Sequence, residues 1–109
     1  MVDKILVSHA EALSEIPTDA GPDGVAAFLL ANGCAGWRWS NVHCPLTSYI
    51  AKRTGYASDN YVATHQTLHF VFWEDPNRYP QEIIPLPETV GRFLRNFDDF
   101  GAYPALRIR

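Results

Sequence analysis

Apolar side chains recur at helical spacing in the first half of the chain, and residues that favour helix ends flank them. Ser8 lies three residues before Glu11, which is the spacing of a capping box, so a short helix is predicted near residues 9 to 15. In the next stretch, "TDAGPDGVAAFLLANG", Pro22 suits a first helical position and Gly33 suits a left-handed C-terminal cap. The pattern therefore predicts two helices before the first cysteine.

Two further helices are predicted later in the chain. Residues 45 to 53 place their apolar side chains on one face, and the segment "PETVGRFLRNFDDF" does the same from Pro87 onward. Gly91 weakens the last helix by about 1 kcal/mol relative to alanine, but a close neighbour can recover that cost through packing. Asp98 and Asp99 are predicted to be solvated or to interact with the helix dipole rather than to act as acid and base.

Between these two predicted helices, the spacing of branched and aromatic side chains changes from that of a helix to that of a β-strand. The segment "YVATHQTLHFVFWED" predicts two antiparallel strands, roughly 60 to 64 and 67 to 73, with a tight connection near His65 and Gln66. A single long bent strand is the alternative, because the connection lacks the glycine or Asn-Gly pair of a good two-residue hairpin. "EIIPL" is predicted to add a short strand. The sequence thus predicts an α+β fold, with three or four helices packed on a small antiparallel sheet (a hairpin or three short strands).

Composition limits the possible partners. A chain of 109 residues with 47% apolar side chains is expected to form a single domain, 1–109, with one core and some apolar side chains left exposed. Its net charge of −3, without a basic block, disfavours nucleic acid and anionic membranes as partners. The longest apolar run, "VAAFLLA", is too short to cross a bilayer, and a cytoplasmic protein is predicted.

The thiol of Cys44 is the first candidate for chemistry. Cys44 directly precedes Pro45, where the dipole of the predicted helix would favour the thiolate, and His43, His65 or His69 could act as a base. This combination defines a Cys44-dependent enzyme as one hypothesis. The alternative is a buried cysteine that fills space where the loop enters the helix, and this alternative is favoured because the chain has no local nucleophile signature. No catalytic residue is therefore predicted.

Metal and disulfide chemistry are also disfavoured. Cys34 and Cys44, together with His43, offer soft ligands for zinc, but they lack the two close ligand pairs of a structural site. A Cys34–Cys44 disulfide would need an oxidising compartment. His65 and His69 are expected to face solvent, with His65 in a turn. No metal and no cofactor are predicted.

An unusual "WRW" motif carries the preferred functional hypothesis. Tryptophan and arginine dominate contact energies at interfaces, so Trp37, Arg38 and Trp39 are predicted to contact an unidentified protein partner, together with Trp73 at the end of the second predicted strand. Packing of one or both rings onto the domain is the alternative. The hypothesis is a small intracellular protein-interaction or regulatory module without catalytic activity of its own. Pairing of an exposed strand with its twin would give a homodimer.

Nucleic-acid binding is a further alternative. Trp37 and Arg38 could stack on single-stranded bases while Lys52 and Arg53 contact phosphates. Such platforms normally lie in a positive groove, and the acidic chain argues against one.

Two segments, "CPLTSYIAKRTG" and "PLPETVGRFLRNFDDFGAYPAL", resemble a group of small uncharacterised proteins found in actinobacterial genomes and their phages. In that group a helix similar to "VAAFLLANG" precedes a Cys-Pro helix, and short strands lead to an "LPxxVxxFxxxFDxGxYP" ending. The resemblance covers roughly residues 20 to 106. It implies a shared α+β scaffold and allows a phage gene as the origin, and it transfers no catalytic residue.

Overall fold

The computed structural model describes residues 7–71 and 82–108, which form four α-helices and a three-stranded sheet. The helices and strands, in chain order, are α1 (His9–Ser14), α2 (Gly21–Ala31), α3 (Pro45–Thr54), β1 (Tyr61–Ala63), β2 (Thr67–Phe70), β3 (Glu82–Pro85) and α4 (Glu88–Phe100). The strand order is β1-β2-β3 and both pairings are antiparallel. The predicted α+β fold is confirmed.

The β1–β2 connection is a hairpin, and a threonine replaces the expected glycine. Tyr61 pairs with Phe70 across the two strands. The Thr64 hydroxyl accepts hydrogen bonds from the backbone N–H groups of Gln66 and Thr67, at 3.1 and 2.9 Å. A hydroxyl that bonds the backbone in this way stabilises a turn without requiring a positive φ. The hairpin prediction is therefore confirmed, and the single bent strand is wrong.

The core lies between the helices and the inner face of the sheet. α2 packs against α4, α1 packs against α3, and α3 also contacts β1. One cluster of buried apolar side chains joins all four helices to the first two strands, and its fully buried members include Val25, Leu29, Leu46, Ile50, Tyr61, Leu68, Phe93 and Phe97. None of the helices in the described residues is long and apolar enough to cross a membrane.

One glycine in α4 lets the hairpin turn approach the helix. A Cβ at position 91 would overlap the backbone carbonyl oxygen of His65. The sequence analysis required a close neighbour at this glycine to offset its cost inside a helix, and the hairpin turn is that neighbour. This contact brings His65 and Gln66 beside the outward face of α4.

Candidate functional site

The segment that carries the two neighbouring tryptophans, residues 35–44, is a closed loop. The backbone N–H of Trp37 donates to the carbonyl of His43 at 2.9 Å, and the N–H of His43 donates to the hydroxyl of Ser40 at 2.9 Å. At its beginning, the N–H of Gly36 donates to the carbonyl of Leu106. We call this segment the Trp loop. Its backbone is held by the loop's own hydrogen bonds and by the C-terminal segment.

Hydrogen bonds from Arg38 connect the Trp loop to the C-terminal end of α4. Its Nε donates to the carbonyl oxygens of Phe97 and Asp98, at 3.1 and 3.0 Å, and its Nη2 donates to the Asp98 carbonyl at 2.6 Å. These carbonyls lie in the last turn of a helix, where the dipole favours a cation. Arg38, predicted as a contact residue, thus has a structural function in the protein.

Asp98 supplies a second connection to the Trp loop. Its Oδ1 accepts the backbone N–H of Trp39 at 2.8 Å, and its Oδ2 lies 3.0 Å from Nε2 of His65. The Asp98 side chain is only 9% exposed. The prediction of a solvated Asp98 is wrong, because the carboxylate links α4 to the loop and the hairpin turn, whereas Asp99 is exposed as expected.

The two indoles of the Trp loop remain open to solvent. Trp37 is 46% exposed and Trp39 is 65% exposed. The Trp37 ring meets the His43 ring edge-on at 5.7 Å, and the Arg38 guanidinium carbon lies 6.0 Å from the centre of the Trp39 ring. Neither ring is therefore buried in the core, and packing of one or both rings onto the surface of the domain stays the alternative to a partner contact. Trp73, the fourth predicted contact residue, lies outside the described residues.

The backbone at Trp39 adopts a conformation that is rare for a bulky residue. Its φ is 65°, in the left-handed region. Such a conformation costs about 1–3 kcal/mol and persists where surrounding contacts impose it. The hydrogen bond from the Trp39 N–H to Asp98 is one such contact. The backbone that carries the exposed ring is thus fixed by a hydrogen bond to a buried carboxylate.

A cleft adjoins Trp39 between the hairpin turn and α4. It consists of two adjoining hollows of about 550 and 400 Å³, which share His65, Gln66 and Arg95 in their walls. The larger part extends along the outward face of α4 past Arg92, and the smaller part reaches Trp39. The sequence pattern did not reveal this cleft, because its walls come from distant segments.

Cys44 caps α3 as predicted, but its sulfur is enclosed. The residue is 2% exposed, and the thiol Sγ lies 3.7 Å from Oγ1 of Thr47. Burial raises the pKa of the Cys44 thiol above its usual value. This effect is larger than the lowering of the pKa by the hydrogen bonds at the start of the helix. The described histidines interact elsewhere: His9 with Glu82, His43 with Ser58, His65 with Asp98 and His69 with Thr67. The arrangement lacks the exposed, activated thiolate that a nucleophile needs.

The second cysteine is equally enclosed. Cys34 is 1% exposed, and burial raises its thiol pKa. Cys34 and Cys44 are both free thiols. Among residues 7–71 and 82–108, no group of three or more histidine, cysteine or acidic side chains is placed to hold a metal ion.

The basic end of α3 does not extend the Trp loop into a positive groove. Arg53 forms a bidentate contact with the Glu15 carboxylate, with both distances 2.7 Å. Lys52 donates to the carbonyls of Asn32 and Gly33 at the end of α2. Both cations therefore stabilise helix contacts within the domain.

No protein-family model, curated protein or solved structure matches this chain. The resemblance of the Cys-Pro helix and the C-terminal segment to actinobacterial and phage proteins stays a prediction. The geometry of the Trp loop and of its cleft is the basis on which function is proposed.

Proposed function

We propose that the chain is a small intracellular protein-interaction module without catalytic activity of its own, and that the Trp loop contacts its protein partner. The observation that carries the proposal is the combination of two exposed indoles with a backbone anchored by Arg38 and Asp98. An exposed aromatic ring on a flexible loop would lose much of its binding energy to ordering. A ring on an anchored loop has lost that freedom already during folding.

The exposed surface of the indoles is large enough to matter for binding. Together Trp37 and Trp39 expose about as much surface as one whole tryptophan, or on the order of 200 Å². At about 25 cal/mol per Å², covering this surface would contribute about 5 kcal/mol before the costs of association. Interface hot spots of this size are typical of tryptophan.

The surroundings of Cys44 and of the two basic residues at the end of α3 favour this proposal over an enzyme or a nucleic-acid-binding module. The sulfur of Cys44 is enclosed, which disfavours a Cys44-dependent enzyme. Lys52 and Arg53 bind groups of the domain itself, which disfavours their use as phosphate contacts beside the Trp loop.

A peptide selection tests the proposal without knowledge of the partner. A random-peptide display library is selected on the wild-type protein, and the affinities of the selected peptides are measured for Trp37→Ala, Trp39→Ala and Leu30→Ala. Leu30 is a matched control because it is a 50% exposed apolar residue on α2. We expect the tryptophan variants to lose about tenfold or more in affinity and the Leu30 variant to bind as the wild type does.

Equal affinities across the three variants would overturn the proposal. Thermal unfolding of each variant serves as the control for folding, because truncation of an exposed side chain changes stability by only about 0.5 kcal/mol. Light scattering at two protein concentrations shows whether the same loop binds a second copy. A dimer that dissociates in the tryptophan variants, but not in the Leu30 variant, would identify the partner as the chain itself.

A further inference from the structure

Two arginines lie on one wall of the cleft beside the Trp loop, in a protein that is acidic overall. Arg92 and Arg95 both line it and both are exposed on α4. Residues three or four positions apart share one face of a helix, so both guanidinium groups project from the same side of α4. Within residues 7–71 and 82–108, neither arginine forms a hydrogen bond or an ion pair.

Two carboxylates also line the cleft and balance the formal charge of its two arginines, so the position of each charged group matters more than their sum. Glu88 lines the larger part only, four residues before Arg92, and offsets the charge of that arginine. Asp98 lines the smaller part, but its two oxygens already interact with Trp39 and His65. Arg95 lies in both parts of the cleft, with its guanidinium donors unused in the described part of the chain.

An acidic peptide side chain fits this combination of groups. The planar fork of a guanidinium matches a carboxylate in a bidentate geometry, and Trp39 offers an apolar ring at the other end of the same cleft. A volume of about 550 Å³ is in the range of sites that enclose a small ligand or a few side chains. A polyanion such as nucleic acid would meet a chain of net charge −3 and only the two arginines of the cleft.

We infer that the cleft binds a glutamate or aspartate side chain of the partner protein, with the carboxylate on Arg95 and a neighbouring apolar side chain on Trp39. This inference rests on the proposed function, since it names the chemistry of the segment that the Trp loop contacts. Arg95 selects for charge and Trp39 for apolar surface, so the preferred segment alternates acidic and apolar residues.

The test uses a blocked pentapeptide, acetyl-Leu-Glu-Leu-Glu-Leu-amide, and its twin in which glutamine replaces both glutamates. NMR titration of the wild type should shift the side-chain Nε–H signal of Arg95 and the indole N–H signal of Trp39 with the acidic peptide, and much less with its twin. We expect Arg95→Gln to weaken binding by about tenfold and added salt to weaken it further. Arg107→Gln is the matched control, because Arg107 is exposed and lies outside the cleft, and it should bind as the wild type does.

The possible results separate this inference from the proposed function. Equal responses to both peptides, or shifts confined to residues outside the cleft, would overturn the acidic-peptide inference. If the display-selected peptides still lost affinity on Trp37→Ala, the proposed function would stand without it, because Trp37 does not line the cleft. Tighter binding of a thymidine hexanucleotide than of the acidic peptide would also overturn the inference, in favour of nucleic acid.

Discussion

Replacing Asp98 with alanine removes the carboxylate that joins α4, the hairpin turn and the Trp loop. The side chain is 9% exposed, and its oxygens bond the Trp39 N–H at 2.8 Å and His65 Nε2 at 3.0 Å. A hydrogen bond to a charged group contributes about 1.5–3 kcal/mol. Part of the loss is recovered, because the freed groups can reach water and alanine is a better helix former than aspartate. We therefore expect Asp98→Ala to lower the free energy of unfolding by about 3 kcal/mol.

Urea unfolding followed by tryptophan fluorescence measures this loss. Asp99→Ala is the matched control, because Asp99 is the next residue of α4 and is exposed. We expect Asp99→Ala to be neutral or to stabilise the protein by a few tenths of a kcal/mol, because it removes a negative charge near the negative end of the helix dipole. An Asp98→Ala protein as stable as the Asp99→Ala protein would refute the anchoring function of Asp98.

Three further predictions concern packing, pH dependence and thiol reactivity. Gly91→Ala should destabilise the protein by about 1–2 kcal/mol in urea unfolding, because the new Cβ overlaps the His65 carbonyl; a more stable variant would show that helix propensity dominates. The hydrogen bond from Arg53 lowers the pKa of Glu15 to about 2, so its contribution to stability is full above the unfolded pKa of 4.5 and is lost as the pH falls toward 2. Glu15→Gln should flatten the stability profile in that window, and an unchanged profile would contradict this assignment. Alkylation of Cys44 at neutral pH, followed by mass spectrometry, should be far slower in the folded protein than in urea, and equal rates would show an accessible thiol.

Local sequence signals predicted the helices and the hairpin well. The helix that begins at Pro45 and stops before Gly55 depends on a proline, an apolar stripe and a glycine with φ of 88°, all of which act within a few residues. The hairpin was predicted from its alternating branched and aromatic residues, although its turn residue was missed. That turn uses the hydroxyl of Thr64, a weaker signal than glycine.

The candidate site was predicted only in part, because it depends on contacts between distant residues. Trp37 and Trp39 were predicted as contact residues from their residue types, with packing onto the domain as the alternative, but Asp98 is 59 positions from Trp39 and 33 from His65. The only local signal for Asp98 was its position four residues after the buried Leu94 on the same face of α4. At Cys44 the favoured prediction of a buried cysteine at the start of α3 is confirmed, and its burial outweighs the preference of a helix N-terminus for a thiolate.

The affinity of one display-selected peptide for four proteins tests most directly whether anchoring of Trp39 by Asp98 supports binding. The proteins are the wild type, Asp98→Ala, Trp39→Ala and the double variant, compared at a low temperature at which circular dichroism shows all four to be folded. We predict that Asp98→Ala weakens binding by about fivefold in the wild-type background, because an unanchored ring must be ordered on binding. In the Trp39→Ala background the same substitution should have a much smaller effect, because only Trp37 and the cleft then remain to respond to it. An equal loss in both backgrounds, or no loss in either, would contradict the account.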